Sequence, residues 1–350
     1  MDTRLIIQPN MTLIEALRYM DTIEKKLLVI CEDDRFVGVI SIGDIQRAIL
    51  SKADLSDRVD KYIRNDMIFA HESDELEKIK KMMLQDRIES MPVVDDADRL
   101  VNIIKWEDIF EGKKSSITKK IDYPVVIMAG GKGTRLKPIT NIIPKPLIPI
   151  SQKTIIEEIM DQFLAVGANN FYLSVNYKAD VIERYFENLD NKSYDIHFIK
   201  EDEPLGTAGA LYYLRDKLKT PFFVSNCDIL VDLNLEDLVD YHQKNGNIAT
   251  VVSVIKEYKI PYGTLETAKK GLLIDLKEKP VETYQINSGL YFISPEVFEY
   301  MKEKEYLDIT DLLKRLVQEK RKVGVLPVSE GSWTDMGNWH EYLKLVKENE

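Results

Sequence analysis

The first third of the chain repeats itself. LLVICEDDRFVGVISIGDI (27–45) and PVVDDADRLVNIIKWEDI (92–109) align at a constant offset of 64, placing Val29 on Val93, Arg35 on Arg99, Val37 on Val101 and Asp44 on Asp108. Each copy reads as an apolar strand, a polar turn, a second strand and the start of a helix. Ahead of each lies a helical pattern, LIEALRYM (13–20) and LEKIKKMM (76–83), with apolar residues three and four apart. A unit this small cannot bury its apolar face alone, so the two copies are expected to pack on each other.

The pattern of apolar strand, turn and G-V-I-S-x-x-D-I resembles the CBS domain, and its duplication resembles a tandem CBS pair over residues 1–112, with copies at about 3–55 and 60–112. In that family the cleft between copies often binds an adenosine nucleotide, held by the Ser/Thr and Asp of this motif. The resemblance implies that role for Ser41 and Asp44 in the first copy and Asp108 in the second, where Asn102 and Lys105 replace the glycine and the hydroxyl residue. Tandem CBS modules often pair between subunits, so a homo-oligomer is expected. The alternative reading of Asp44 and Asp108 is structural: acids in the first turn of a helix, favoured there by the helix dipole. EGKKSSITKK (111–120) is polar, basic and without apolar periodicity, which places a linker at 113–121.

From residue 122 to 350 apolar strands alternate with amphipathic helices: PVVIMA, TIIEEIMDQFLAVG, FYLSVNY, ADVIERYFENL, DIHFIKE, TAGALYYLRDKL and PFFVSNCD. This β-α-β-α order predicts an α/β domain with a Rossmann-like, mixed but mostly parallel sheet covered by helices on both faces. The whole chain is then a smaller α+β CBS pair followed by this larger domain. Ligands on such sheets bind beyond the carboxyl ends of the strands. The chemistry-bearing residues fall there.

The segment VVIMAGGKGTRLKPITNIIPKPLIPI (125–150) is the first of these. Glycine lets the backbone turn sharply and leaves N–H groups uncovered, a geometry suited to phosphate oxygens. Thr134 adds a hydroxyl and Arg135 a planar fork. The order Lys132-Gly133-Thr134 is not the GK[ST] ending of a Walker loop, and the third glycine of a dinucleotide fingerprint is missing. Pro144-Lys145-Pro146 stiffens the chain around one ammonium.

GGKGTRLKPIT followed by PKPLIPI resembles the sugar nucleotidyltransferases, which join a nucleoside triphosphate to a sugar 1-phosphate and release pyrophosphate. The match runs from Tyr123 to Glu341. It implies that Ala129, Gly130, Gly131, Gly133, Thr134 and Arg135 hold the triphosphate and that Lys145 reaches the phosphates at the reacting centre. DEPLGTAGAL (202–211) is similar to guanylyltransferases, which implies that Gly206, Thr207 and Ala208 lie under a guanine and that GTP is the nucleotide. Asp228 in NCDIL and Asp335 in WTDMGNW are expected to share Mg²⁺, which binds through one or two carboxylates plus phosphates. Taken singly, each is equally a turn or cap residue. On the sugar-phosphate side the resemblance implies Gly263 in PYGTLE, Glu278 and Lys279 in KEKP, and Asn287 in INSGLYFIS.

The expected reaction is an in-line displacement in which a sugar 1-phosphate oxygen attacks the α-phosphorus, with Arg135, Lys145 and Asp228 as the catalytic set. The phosphate is already an anion near neutral pH, with a second pKa of ~6, so no general base is needed. Fusion of a CBS pair to such a domain resembles enzymes of bacterial nonulosonic (legionaminic) acid synthesis, which convert glucosamine 1-phosphate to GDP-glucosamine. Mannose or heptose 1-phosphate, and UTP, CTP or dTTP, stay open. A rival from another class is a non-catalytic sensor of the same fold. It would be expected to lose the arginine, the P-K-P lysine or the metal acids, and all are present.

Composition agrees. The 350 residues carry 59 acidic against 48 basic side chains, a formal charge of −11, which disfavours a nucleic-acid partner. Two cysteines, Cys31 and Cys227, point to a reducing compartment rather than a disulfide framework. With no signal-peptide pattern and no apolar run near the roughly 18 residues of a spanning helix, a soluble, cytoplasmic protein without a membrane partner is expected. The histidines at 71, 197, 242 and 340 share no spacing and suit surface or capping roles.

Overall fold

The structure, a computed structural model, describes residues 2–64, 67–86, 88, 90–105, 121–150, 152–189, 193–201 and 203–348. The chain divides into two compact units, Met1–Thr118 and Lys119–Glu350. Asp108 and the linker up to residue 120 lie outside the described residues.

In the first unit the repeat is a repeat of structure. Strand Ile6–Ile7 runs parallel to Leu27–Glu32, which pairs antiparallel with Arg35–Ser41; Ala70–His71, Ser90–Val94 and Leu100–Lys105 do the same. The offset of 64 survives in the register, since Ile6 faces Val29 and Ala70 faces Val93. The copies touch as their apolar faces require. The Phe36 N–H donates to the Asp98 carbonyl (2.8 Å), the Leu100 N–H to the Asp34 carbonyl (3.1 Å), and Ile103 joins the core of Leu5, Val29 and Cys31. Ser41 and Asp44 form a capping box on helix Ile42–Leu50. Asp44 Oδ2 accepts from the Ser41 N–H (2.8 Å) and hydroxyl (2.6 Å), while Oδ1 pairs with Arg47 and with Arg64 (2.9 Å). In the second copy Lys105 pairs with Asp2 (2.9 Å).

The second unit is built on strands β1 (Val125–Met128), β2 (Asn170–Val175), β3 (Asp195–Lys200), β4 (Phe222–Asn226), β5 (Ile229–Val231), β6 (Ala249–Lys259), β7 (Thr264–Thr267), β8 (Leu273–Lys277), β9 (Val281–Ile293), β10 (Val323–Val328) and β11 (Trp333–Asp335). Seven form one sheet in the order β3-β2-β1-β4-β9-β6-β10, and only β9 runs against the rest. Its inner strands β1, β2 and β4 are buried on both faces, as their unbroken apolar runs require. Val125 and Ile127 of β1 face one core with Phe171 and Phe292; Val126 between them faces the other with Phe222 and Tyr291. Helices α1 (Ile155–Leu164), α2 (Ala179–Glu187), α3 (Leu235–Asn245) and α4 (Ile309–Gln318) pack on these faces. Thr154 caps α1 by accepting from the Glu157 N–H (3.4 Å), and the Glu157 carboxylate returns to the Thr154 N–H (2.8 Å). Beyond the carboxyl edge, the outer halves of β6 and β9 and the separate β7–β8 hairpin form an arm.

Two expectations change. TAGALYYLRDKL was read as one helix; it is one turn, Gly206–Gly209, followed by a 3-10 stretch, Ala210–Leu214. The Ala208 and Gly209 N–H groups, which a first helical turn leaves without intrahelical partners, both donate to the Leu307 carbonyl (2.9 and 3.0 Å) and anchor the turn there. His242 is neither on the surface nor a cap. It is 2% exposed, with its ring nitrogens 2.9 Å from the hydroxyls of Thr250 and Ser294. Both cysteines are buried and free.

Candidate active site

The carboxyl ends of β1, β2, β3 and β4 open onto one cavity of about 420 Å³. The loop after β1 forms one wall. Gly133 has φ +60°, and a Cβ there would come within 2.8 Å of Thr140 and 3.0 Å of Lys145, so only glycine lets the loop lie against the P-K-P turn. The Thr140 hydroxyl secures it by donating to the Gly133 carbonyl (2.9 Å). Gly131 is the opposite case. No atom lies within 4 Å of its would-be Cβ, so its backbone faces open space. Thr134 and Arg135 continue the wall in the 3-10 turn Thr134–Leu136.

Lys145 is 8% exposed, and its ammonium pairs with Asp228, which follows β4. Pairing of β5 with β11 sets Ile229 opposite Asp335, bringing together two aspartates more than a hundred residues apart in sequence. Arg135 spans both, 3.5 Å from Asp228 Oδ2 and 3.6 Å from Asp335 Oδ2. Gly337 marks where they converge. A Cβ built on it would lie 2.6 Å from Asp335 Oδ1, 2.7 Å from Asp228 Oδ2 and 2.6 Å from Arg135 Nη2. Among the described residues no group of three or more His, Cys, Asp or Glu side chains could hold a metal. Two carboxylates aimed at one small space are the donor set that Mg²⁺ takes when phosphates and water complete its shell. The residues fit the ion.

Gly206 and Thr207 line the same cavity. The Thr207 N–H donates to Asp308 Oδ1 (3.1 Å), and its hydroxyl accepts from the Ile309 N–H (2.9 Å), tying this turn to the start of α4. Ala129 and Ala208 are buried behind the wall. The structure does not bring Gly263, Glu278, Lys279 or Asn287 into the lining. Gly263 and Glu278 adjoin on the arm, 3.0 Å from would-be Cβ to Oε2, and Lys279 has φ +45°. Asn287 donates to the Tyr291 hydroxyl (2.7 Å) and accepts from the Gly289 N–H (3.1 Å).

Sequence reasoning passed over Asn176, Glu201, Asn226 and Asp308, all in the lining. Glu201 is a buried carboxylate that accepts from the Ser174 hydroxyl and the Leu205 N–H (3.0 Å), while Asn176 donates to its carbonyl (2.7 Å). The rule that strand ends carry the site would have found three of the four, since Asn176 and Glu201 directly follow β2 and β3 and Asn226 ends β4. Cys227 sits beside Asp228, but burial pushes its thiol up to about 12 and makes it a poor nucleophile.

A family described as nucleotidyl transferase matches residues 124–350, and one described as the CBS domain matches 1–51 and 59–114. The mannose-1-phosphate guanyltransferase of Kluyveromyces lactis is 34% identical over 226 residues, and the mannose-1-phosphate guanylyltransferase catalytic subunit beta of Xenopus tropicalis is 33% identical over 227. In both cases the match takes in 62% of this chain and 62% of the relative, so the chain spans less than two thirds of these proteins. The crystal structure of HddC from Yersinia pseudotuberculosis superposes with a TM-score of 0.51 at 28% identity, covering 65% of this chain and 100% of that one. With the family match covering well over half its length and two CBS domains ahead of it, the chain belongs to the nucleotidyl transferase family.

Proposed function

We propose that the protein is a sugar-1-phosphate guanylyltransferase, transferring GMP from GTP to a sugar 1-phosphate with release of pyrophosphate. The convergence of Asp228, Asp335, Arg135 and Lys145 beside a bare glycine loop carries this reading. The Gly131 backbone, Thr134 and Arg135 receive the triphosphate, while Lys145, held in a short rigid turn, stands at the α-phosphate. Now that Arg135 and Lys145 are paired with the aspartates, a nucleotide must draw these cations onto its phosphates, freeing two carboxylates. Those carboxylates would hold Mg²⁺, which supplies charge neutralisation between two repelling phosphate esters. No side chain need act as a base, because the attacking phosphate is already ionised.

Glu201 supports the choice of guanine. A carboxylate has about four lone-pair sites, and Ser174 and Leu205 occupy two. Guanine presents adjacent N1–H and N2–H donors that a carboxylate in this wall can accept; uracil, thymine and cytosine do not. The relatives named above support mannose 1-phosphate as the first acceptor to test, and the fused CBS pair keeps glucosamine 1-phosphate beside it. Gly263, Glu278, Lys279 and Asn287 are the proposed sugar-side contacts, reached from the arm. Pyrophosphate release should be measured with GTP, UTP, CTP and dTTP against mannose, glucosamine, glucose and heptose 1-phosphates, with Mg²⁺. Turnover is expected with GTP and one of the sugars. No release with any pair would leave the sensor reading in its place.

A further inference from the structure

A second cavity lies at the other end of the same sheet, and the transfer reaction does not use it. It encloses about 510 Å³, against about 420 Å³ for the active site. Pro221, Ile248 and Lys322 in its lining directly precede β4, β6 and β10, and Ser294 directly follows the antiparallel β9. It is therefore at the amino edge of these strands, where the nucleotide site is at their carboxyl edge. Three consecutive cations, Lys320, Arg321 and Lys322, line it, with Glu296 as the one acid. Among the described residues none of the three has a carboxylate partner. Lys322 donates to the Asn245 carbonyl (3.3 Å), and the Arg321 guanidinium lies over the Tyr300 ring at 5.7 Å. Helices α3 and α4 end beside the cavity, each end worth about −0.5 charge. Their last carbonyls are already taken by the N–H groups of Gly246, Asn247, Lys320 and Arg321. Three cations set against Glu296 and both helix ends still leave roughly +1, inside a chain of −11. One oriented donor completes the wall. The fully buried Thr250 hydroxyl accepts from the Asn247 carboxamide (3.1 Å), so its own proton goes to His242 Nδ1 (2.9 Å). His242 Nε2–H then donates to Ser294 Oγ (2.9 Å). The Ser294 proton is left with the Asn247 carbonyl at 3.5 Å, the outer limit of a hydrogen bond.

We propose that this cavity is a second binding site, for a small hydroxylated phosphate monoester. The phosphate carries about −1.5 to −2 near pH 7. It pairs with Lys320 and with the planar fork of Arg321, and it accepts the proton that Ser294 cannot place well inside the protein. Glu296 accepts from hydroxyls on the body of the ligand. Volume favours an ester over the free ion. A cavity of about 510 Å³ falls within the ~300–1,000 Å³ of small-molecule sites and leaves a lone phosphate largely unenclosed. Cations that merely balanced the helix ends would matter to stability and not to binding.

The test is equilibrium dialysis of the full chain without Mg²⁺, against radiolabelled glucose 6-phosphate and, separately, inorganic phosphate. Glucose 6-phosphate carries no phosphate at C1, so it is not an acceptor for the transfer reaction. One equivalent of the ester is expected to bind, at least tenfold more tightly than inorganic phosphate. Lys320→Gln/Arg321→Gln should weaken the ester tenfold or more while the thermal transition stays unchanged. Lys320→Glu, at an exposed position, is the second variant should loss of the Arg321–Tyr300 contact disturb folding. Lys145→Ala, at the opposite edge of the sheet, reports instead on the active site and should leave ester binding in place. No ester binding, an affinity no better than that for phosphate, binding that survives both cavity variants, or binding lost in Lys145→Ala would each overturn the proposal. The readout needs no turnover, so it stands apart from any result on guanylyl transfer.

Discussion

Replacing Gly337 by alanine puts a methyl group where Asp228, Asp335 and Arg135 converge. Its Cβ would lie 2.6–2.7 Å from an oxygen of each carboxylate and a guanidinium nitrogen, whereas ordinary contact begins at 3.4 Å. Each group must therefore retreat by about 0.7–0.8 Å, and a misplacement of ~1 Å at a reacting centre costs around a hundredfold in rate. The backbone itself is not strained, because Gly337 is absent from the residues with positive φ. All three clashing atoms are side-chain ends at a cavity wall, so thermal stability should change by less than ~1 kcal/mol. The expected result is a hundredfold lower kcat in pyrophosphate release, with a Mg²⁺ requirement shifted to higher concentration. Gly131→Ala is the contrast. Its methyl meets nothing in the free protein, so it should fold normally and instead raise KM for GTP about tenfold, by covering backbone that the phosphates approach. If Gly337→Ala turned over within threefold of wild type at the same Mg²⁺ concentration, the two carboxylates would not be acting together, and the assignment of the site would fail.

Asp228→Asn keeps a hydrogen-bond acceptor beside the buried Lys145 but removes the charge, so the fold should persist while turnover drops at least a hundredfold, as it should for Lys145→Ala; near-normal turnover of either removes that residue's role. Glu201→Gln retains one acceptor for Ser174 or Leu205 and adds a donor facing guanine's donors. The ratio of kcat/KM for GTP over UTP should fall tenfold or more, and an unchanged ratio places base selection elsewhere. Burial holds the His242 imidazole down from its usual 6.5 to about 4. Stability from the neutral ring is complete above pH 6.5, the unfolded value. As pH falls from 6.5 to 4 the unfolded chain takes up the proton first and stability declines, by up to about 3 kcal/mol. Urea midpoints across that range should fall for wild type and flatten for His242→Gln; parallel curves would refute the assignment.

How far the sequence could be read depended on whether the determining contacts were local. The repeat was legible because strand, turn and cap recur within twenty residues, and Ser41 and Asp44 announce their helix by spacing alone. The parallel strands were legible as apolar runs bounded by turns. The segment after Leu205 was not: its first turn is anchored through two N–H groups to the Leu307 carbonyl, a hundred residues away, and the chain then continues as a 3-10 stretch instead of an α-helix. His242 was misplaced for the same reason: its partners Thr250 and Ser294 sit on β6 and directly after β9, invisible to any local window.

The site shows the same division at finer grain. Glycine loop, Arg135 and Lys145 are close in sequence and could be weighed together, but Asp228 and Asp335 meet only because β5 pairs with β11. That pairing joins two short strands outside the main sheet, with no apolar run long enough to announce it. The residue that registers the meeting is a glycine with ordinary φ, which carries no conformational signal of its own. Only the absence of a side chain at Gly337 leaves room for two carboxylates and a guanidinium, and absence has no pattern in a sequence. A chain of this family could thus keep every recognisable motif and still lose its chemistry through one methyl group.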